Sequence, residues 1–238
     1  MRGFNDMKEK IILDLCGGTG SWAKPYKDNG YKVITITTPE YDVNKYVFTE
    51  GWLTFLGQNG QQKAVKIKDI YGILAAPPCT MFSFARTKAK TPRDLKEGME
   101  CVRSCLDIIW TIMEVKQDTG KKTLPLQFWA LENPYHGFLK KFLSEPKFVF
   151  DPYDFGDPYQ KRTALWGHFN EPKKNPIKLT EEQKAKAKTN STLHTLGTKF
   201  DYLKSKDIHP EHFGKLDRQA RRSITPQGFA KAFFEANR

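Results

Sequence analysis

Three short motifs contain the residues of this chain that are best suited to chemistry. A glycine-rich turn, Asp-Leu-Cys-Gly-Gly-Thr-Gly, occupies residues 14–20, Cys79 follows the dipeptide Pro77-Pro78, and Glu132 opens the sequence Glu-Asn-Pro. A cysteine thiolate can attack an electrophilic carbon, and a glutamic acid can give or take a proton beside it. The motifs therefore predict an enzyme that works through a cysteine nucleophile.

Cys79 stands where its neighbours make the backbone rigid. Each proline of Pro77-Pro78 fixes φ at about −65° and donates no N–H, so the dipeptide ends a strand and stiffens the loop that follows. This holds the thiol at a defined place and favours a nucleophile. The alternative is a cysteine that serves as a small buried apolar residue.

Glu132 closes a run of apolar side chains that includes Phe128, Trp129 and Leu131. Apolar walls favour the neutral acid over the carboxylate, so Glu132 is the predicted proton-holding partner of Cys79. The alternative is a surface glutamate that caps a turn.

The glycine-rich turn has the Asp-Leu-x-x-Gly-x-Gly pattern that surrounds S-adenosylmethionine. Its glycines let the backbone approach a ligand closely, and the helix start that follows offers free N–H groups. The turn lacks the dinucleotide pattern G-x-G-x-x-G, and no Lys-Ser/Thr pair follows as a P-loop requires. A plain tight turn is the alternative interpretation.

Short apolar runs bounded by turn residues predict an α/β fold with a mostly parallel sheet. The intervals between these runs are long enough for crossover connections, and apolar residues at three- and four-residue spacing predict a helix over residues 93–115. In such sheets ligands bind beyond the carboxyl ends of the strands, so we expect the three motifs to meet at one edge. The predicted strands are residues 11–15, 33–37, 70–76 and 127–131.

The charge of the chain favours a polyanionic partner. Lys and Arg number 39 against 27 Asp and Glu, which gives a net charge of +12. A soluble protein that is merely basic is the alternative. The four cysteines show neither zinc-ligand spacing nor a disulfide framework. We therefore expect no metal site, and we expect the protein to work in a reducing compartment. The polar N-terminus carries no export signal, and we expect a cytoplasmic location and no membrane partner.

Taken in order, the motifs resemble those of DNA cytosine-5 methyltransferases, in the compact form common among bacteriophage and prophage enzymes. Phe82-Ser83 and the stretch Gln160-Lys161-Arg162, similar to the Gln-x-Arg of that family, extend the resemblance over most of the chain. It implies the S-adenosylmethionine-dependent methyltransferase (Rossmann-like) fold with helices on both faces of the sheet. It also argues against amino-group methyltransferases, because Ala76 stands where their acidic or amide residue would be.

The resemblance implies catalytic roles for three residues. Cys79 would add to C6 of a cytosine flipped out of the duplex, Glu132 would protonate or hydrogen-bond N3, and Arg162 would bind the O2 side. An RNA (tRNA) cytosine-5 methyltransferase, a relative using a modified S-adenosylmethionine, and an idle DNA-binding relative remain alternatives.

The cofactor implied by the resemblance is S-adenosyl-L-methionine. The expected second strand lacks the acidic residue that usually holds the cofactor ribose, since Glu40 is displaced from its end. Asp42 resembles the aspartate that faces the adenine amine, and Ser223 stands near the place of an asparagine beside the cofactor turn. The implied cofactor-binding residues are Asp14, Cys16, Gly17, Gly18, Thr19, Gly20, Trp22, Asp42, Pro77 and Ser223.

Three regions follow from this interpretation: a catalytic domain over residues 1–169, a small basic recognition or linker region over 170–217, and a returning C-terminal helix over 218–238, which Thr225 would cap. We expect a monomer that binds double-stranded DNA with short or relaxed sequence recognition, largely through phosphates. Solvated surface charge is the alternative for the basic residues among them. The candidate DNA contacts are Ser83, Arg86, Lys88, Gln160, Lys173, Lys174 and Arg222.

Overall fold

The main sheet of the computed structural model has six strands, four of which run parallel. The structure describes residues 9–84, 89–118, 124–157, 161–178, 215–216, 220 and 223–238. Its strands are β1 (Ile11–Leu15), β2 (Lys32–Ile36), β3 (Tyr41–Thr49), β4 (Trp52–Gly57), β5 (Gln62–Lys66), β6 (Ile70–Ala75), β7 (Phe128–Pro134), β8 (Phe148–Phe150) and β9 (Thr163–His168). Its helices are α1 (Lys24–Asp28), α2 (Leu95–Asp118), α3 (Lys140–Leu143) and α4 (Gln227–Ala236).

The order of the strands places a change of winding direction between β1 and β6. The order is β2-β1-β6-β7-β9-β8, and β2, β1, β6 and β7 pair in parallel. The chain therefore moves to one side of β1 to form β2 and to the other side to form β6. Open α/β sheets bind ligands at such a switch point, outside the carboxyl ends of the strands. The glycine-rich turn and the Pro-Pro-Cys loop follow the two strands that flank it.

Strand β7 is longer than the sequence predicted. Its parallel pairing with β6 ends at Ala75 and Leu131, but its antiparallel pairing with β9 continues from Glu132, opposite Leu165, to Pro134. The expectation that Glu132 follows the end of its strand was therefore wrong. Glu132 is a strand residue, yet it is the first one beyond the end of β6, so it still faces the carboxyl edge.

The segment between β2 and β6 forms a second, three-stranded antiparallel sheet in the order β3-β4-β5. Only a crossover connection was predicted here. Leu53, Phe55 and Val65 of this sheet are buried in the same cluster as one side of α2, including Ile108 and Ile112. The small sheet thus covers part of the apolar stripe of α2, which accounts for its place in the fold.

Helices cover both faces of the main sheet, as expected. Ile11, Leu13 and Leu15 of β1 belong to the cluster that contains α2, whereas Ile12 belongs to the cluster that contains α1 and α4. Because successive side chains of a strand point to opposite faces, the two clusters lie on opposite sides of the sheet. The structure thus confirms a mixed α/β fold with a mostly parallel sheet.

Helix α4 returns the end of the chain to the main sheet. Phe229 stacks on Phe150 with ring centroids 3.9 Å apart, and Phe233 meets Trp22 edge-on at 5.4 Å. Thr225 does not cap this helix, which starts after Pro226 with no side-chain cap of its own. Instead the Gly228 N–H in the first turn donates to Asp157 Oδ2 (3.0 Å), so a distant segment satisfies the helix start.

Residues 179–214 and 217, most of the predicted recognition region, lie outside the described residues. No helix in the part of the chain that the structure describes is both long and apolar enough to cross a membrane.

Candidate active site at the carboxyl edge of the sheet

The glycine-rich turn is held open beyond the end of β1. The Cys16 N–H donates to the Ile36 carbonyl oxygen (2.7 Å) and the Gly20 N–H to that of Gly17 (2.9 Å). Gly18 and Gly20 have φ values of 54° and 70°, the left-handed region that glycine adopts most readily, and a Cβ on either would meet no atom within 4 Å. The turn thus presents an uncluttered backbone to a ligand.

Asp14 lies buried beneath this turn. Its Oδ2 accepts a hydrogen bond from Thr35 Oγ1 (3.4 Å), while its Oδ1 is buried without a hydrogen-bond partner. Burial raises the pKa of Asp14 from 3.8 to about 7, and the bond from Thr35 opposes that rise. A Cβ on Gly17 would lie 2.0 Å from Asp14 Oδ2, so only glycine fits above the carboxyl group.

Replacing Gly17 with alanine is expected to distort the turn. The new methyl group must displace Asp14 or the backbone, and we expect a loss of about 1–3 kcal/mol in the free energy of unfolding. Gly18→Ala is the matched control, because it adds the same methyl group in open space and costs only about 1 kcal/mol of left-handed strain. Urea unfolding of both variants measures the difference, and equal losses would contradict the close packing of Asp14 under Gly17.

Asp14 should also make the stability of the protein depend on pH. The folded protein keeps the carboxyl protonated up to about pH 7, whereas the unfolded chain releases the proton near pH 3.8. The folded state therefore binds more protons between these values, and stability falls as the pH rises from about 4 to 7. The slope approaches about 1.4 kcal/mol per pH unit.

Asp14→Asn removes the titrating group and keeps its size. Urea unfolding between pH 4 and pH 8 should show the wild type losing stability relative to this variant as the pH rises. Parallel curves for the two proteins would contradict the raised pKa of Asp14.

The Pro-Pro-Cys loop begins in register with the glycine-rich turn. The Ala76 N–H donates to the Leu15 carbonyl oxygen (2.9 Å), and Pro77 is buried. The N–H groups of Phe82 and Ser83 both donate to the Cys79 carbonyl oxygen (3.0 and 2.9 Å), which folds the chain tightly around the cysteine. Cys79 itself is partly exposed. It follows β6 at the carboxyl edge of the sheet and is not part of the buried core.

Arg93 binds the backbone of this loop beyond Cys79. One guanidinium N–H group donates to the Met81 carbonyl oxygen and another to that of Ser83 (3.0 Å). The guanidinium also lies 5.0 Å from the centre of the Phe138 ring. A planar fork with several donors can hold two carbonyl groups at once, which a lysine cannot do in the same geometry.

Asn133 joins the second motif to the third. Its Nδ2 donates to the Pro77 carbonyl oxygen (3.0 Å), and the residue is completely buried. Its Oδ1 is buried without a hydrogen-bond partner. The bond fixes the start of the Cys79 loop against the strand that carries Glu132, so Asn133 positions both residues.

Glu132 lies beside a lysine. Lys161 Nζ is 3.9 Å from Glu132 Oε1, and both side chains are largely buried. Arg162 instead lies 3.9 Å from Asp151 Oδ2 and 5.2 Å from the centre of the Tyr135 ring, with half of its side chain exposed. Burial raises the pKa of Asp151, and the charge of Arg162 opposes this rise.

Three other predicted cofactor residues have separate environments. Trp22 is buried in the core against Phe229 and Phe233, so packing explains this residue. Ser223 is exposed and donates to the Ala220 carbonyl oxygen (2.7 Å). Asp42 accepts the Asn44 N–H (2.9 Å) at the start of β3.

A group of thiols lies beside the glycine-rich turn. A hydrogen bond with Cys16 and burial together raise the pKa of Cys105 well above its usual value. Burial also raises the pKa of Cys101, which accepts a weak bond from Asn44 Nδ2 (3.6 Å) and feels the charge of Asp42. The structure therefore brings Cys16 and Asp42 to the same side of the edge.

The C-terminal segment contacts the residue that follows the glycine-rich turn. The Thr225 N–H donates to Ser21 Oγ (2.9 Å), directly after the turn. Because the two positions are 204 residues apart in the chain, no local pattern could indicate that Ser21 would be the contact.

The predicted DNA contacts are only partly described. Ser83 forms a β-bridge with Gly137, and Lys173 is exposed. Lys174 Nζ lies 2.9 Å from Asp154 Oδ2, which neutralises its charge. Arg86, Lys88, Gln160 and Arg222 lie outside the described residues.

Some residues of this edge had no predicted role: Arg93, Lys161, Ser21 and Asn133. Asn133 was visible as the centre of Glu-Asn-Pro, but its bond to Pro77 depends on strand pairing. Within the described ranges, no group of three or more His, Cys, Asp or Glu side chains could hold a metal ion.

The chain matches no model of a protein family and no curated protein. The geometry of the site is therefore the basis for the proposed function.

Proposed function

We propose that the protein is a DNA cytosine-5 methyltransferase that uses S-adenosylmethionine. One observation carries the proposal: the Asn133 bond to Pro77 fixes the loop of a partly exposed Cys79 against the strand of Glu132, beside the glycine-rich turn. The glycine turn and the Cys79 loop follow the two strands that flank the switch point of the α/β sheet, where ligands bind, and Glu132 lies on the next strand. Covalent activation of a pyrimidine ring requires such a set.

The chemistry follows from the weak nucleophilicity of cytosine C5. The Cys79 thiolate adds to C6, and electron density moves into the ring toward N3 and C5. Glu132 donates a hydrogen bond or a proton at N3 and so accommodates that density. C5 would take the methyl group of S-adenosylmethionine, whose sulfur would keep the electron pair of the broken C–S bond. Solvent water accepts the C5 proton, Glu132 takes back any proton it gave to N3, and the electrons of the C5–H bond expel the Cys79 thiolate. The base regains its aromatic ring with one methyl group added.

Lys161 and Arg162 provide positive charge next to this chemistry. Arg162 is half exposed and has donors in a fixed fork that suit the O2 oxygen of the ring. Lys161 lies within 4 Å of Glu132 and holds the orientation of its carboxyl group. A base inside a duplex cannot present C6 to a thiol, so a paired target would have to leave the stack, at a cost of a few kcal/mol that an unpaired target avoids.

The glycine-rich turn fits a ligand with a cationic centre. Gly18 and Gly20 leave space above the backbone, and the buried Asp14 has an oxygen without a partner. A positive charge close to the turn would lower the pKa of Asp14, since it favours the carboxylate. S-adenosylmethionine, when bound, supplies an electrophilic methyl group. Residues 16–20 would hold it, with Asp42 on the side of Cys16.

Incubation with labelled S-adenosylmethionine and either DNA or tRNA tests the proposal. Digestion to nucleosides followed by mass spectrometry should identify 5-methyl-2′-deoxycytidine in the DNA sample. Cys79→Ser protein is the control and should transfer no label. Label found in tRNA alone would make the protein an RNA enzyme with the same chemistry, and label on an exocyclic amine would contradict the role of Cys79.

A further inference from the structure

The Cys79 loop and the segment after β7 form one continuous surface. The Phe84 N–H donates to the His136 carbonyl oxygen (3.3 Å), and the Phe138 N–H donates to that of Phe82 (3.0 Å). A Cβ on Gly137 would lie 3.0 Å from the Phe82 carbonyl oxygen, so the two segments pack backbone against backbone. Side chains from both segments therefore keep fixed positions relative to Cys79.

Two aromatic rings of this surface each carry two cations. Arg93 and Lys141 lie 5.0 and 5.3 Å from the centre of the Phe138 ring. Lys140 and Arg162 lie 4.6 and 5.2 Å from the centre of the Tyr135 ring. These contacts hold four positive charges in place on this surface. Long charged side chains that are already ordered lose less entropy when they bind a phosphate.

Phe84 differs from the other two rings because half of it faces solvent. It is 49% exposed and lies perpendicular to the Phe138 ring with the centroids 4.9 Å apart, so Phe138 supports it while much of its surface remains open. A half-exposed phenylalanine near cations contributes little to the stability of the fold. A planar ring in this setting is suited to stacking on a base.

We propose that Phe84, Arg93, Tyr135, Phe138, Lys140 and Lys141, the loop platform, bind unpaired nucleotides next to the target base. Phe84 stacks on one base, and the cations contact the flanking phosphates. Proteins bind single-stranded nucleic acids in this way, with aromatic rings that stack on any base and a basic groove that follows the phosphate backbone. A base in a duplex has no free face for Phe84. The inference rests on the proposed function and names the state of its substrate.

An acidic peptide would also meet the cations, but it offers no base to stack on Phe84. The net charge of +12 makes a polyanion the expected partner, and the open ring selects a nucleic acid among polyanions. Dependence of binding on Phe84 therefore separates the two kinds of partner.

Fluorescence anisotropy with a labelled single-stranded DNA oligonucleotide measures this binding without methyl transfer. Phe84→Ala should weaken binding about tenfold, a loss typical of one stacked base, whereas Phe84→Trp should restore it. Trp110→Ala is the matched control, since Trp110 is 52% exposed on α2, and it should bind like the wild type. The same oligonucleotide annealed to its complement should bind more weakly than the single strand and should be insensitive to Phe84→Ala.

A second comparison tests the cations. The double variant Lys140→Gln, Lys141→Gln should lower the slope of log K against log salt by about 1.4, since each lost phosphate contact on a single strand contributes about 0.7. Lys231→Gln, on the outer side of α4, should leave the slope unchanged.

The outcomes separate this inference from the proposed function. Loss of affinity in Phe84→Ala together with no methyl transfer to any nucleic acid would retain the loop platform and remove the proposed activity. Methyl transfer by a protein whose Phe84→Ala and lysine variants bind like the wild type would overturn the platform. Tighter binding to the duplex than to the single strand would also overturn it, as would equal displacement by poly-glutamate and by unlabelled oligonucleotide.

Discussion

Replacing Cys79 with alanine is expected to abolish covalent trapping on DNA that contains 5-fluorocytosine. With fluorine at C5, the ring cannot lose a proton after methyl transfer, so the bond between the cysteine sulfur and C6 persists. Methyl transfer to ordinary DNA should fall at least about 10⁴-fold, because removal of a nucleophile leaves only binding and positioning. Denaturing gel electrophoresis detects the adduct as a band of increased mass, and mass spectrometry locates it on the peptide that contains residue 79.

Cys101→Ala is the matched control for this experiment. Cys101 is also a partly exposed thiol, but it lies on α2 beside Asn44. This variant should still form the adduct. An adduct that survives in Cys79→Ala would remove Cys79 from its proposed role, and an adduct that disappears in Cys101→Ala alone would transfer that role to α2.

The sequence predicted the central strands well because they are buried on both faces. β1 has the predicted bounds, and β6 ends one residue earlier than expected. Such continuous apolar runs can be recognised in the sequence without knowing which strands they pair with. The end of β7 was missed for the opposite reason: Glu132 to Pro134 are extended because they pair with β9, some 30 residues further along the chain.

The small sheet was missed although one turn signal was present. Asn59-Gly60 joins β4 to β5, both residues have positive φ, and Asn-Gly is a strong hairpin signal. Of the two flanking strands, β5 contains only polar and small residues apart from Val65, so it lacks the apolar alternation that predicts a strand. The stability of these strands comes from packing on α2, which patterns of neighbouring residues in the sequence cannot reveal.

The sequence identified the motifs of the candidate site but not its internal contacts. Cys79 and Glu132 are recognisable by residue type and neighbours. The bond of Asn133 to Pro77 spans 56 residues, and the approach of Lys161 to Glu132 depends on the pairing of β7 with β9. Sequence patterns alone could not distinguish Lys161 from Arg162 as the neighbour of Glu132, since the two basic residues are adjacent in the chain.

Glu132→Gln is expected to lower kcat for methyl transfer by about 10²–10⁴-fold, the usual contribution of a positioned acid or base. Glutamine keeps the size of the side chain and can still form a hydrogen bond, so the KM for DNA should change little. Single-turnover measurements separate the chemical step from product release. Glu145→Gln removes the same charge at an exposed position after α3 and should leave kcat unchanged. An unchanged kcat in Glu132→Gln would contradict the role of this residue at N3.

Lys161 provides a further test of the same carboxyl group. Lys161→Gln should lower kcat by about tenfold, because the carboxyl group loses the partner that orients it 3.9 Å away. Lys161→Arg keeps the charge and should recover most of the loss.

A double-mutant cycle decides whether Lys161 acts through Glu132. If it only positions that side chain, Lys161→Gln has no further effect once Glu132 is already glutamine, and the interaction energy equals the whole effect of the single Lys161 variant. Effects that add would mean that Lys161 contacts the substrate itself. Its position beside Arg162 would then give the base two separate cations, and the role that the family resemblance assigns to Arg162 would be shared.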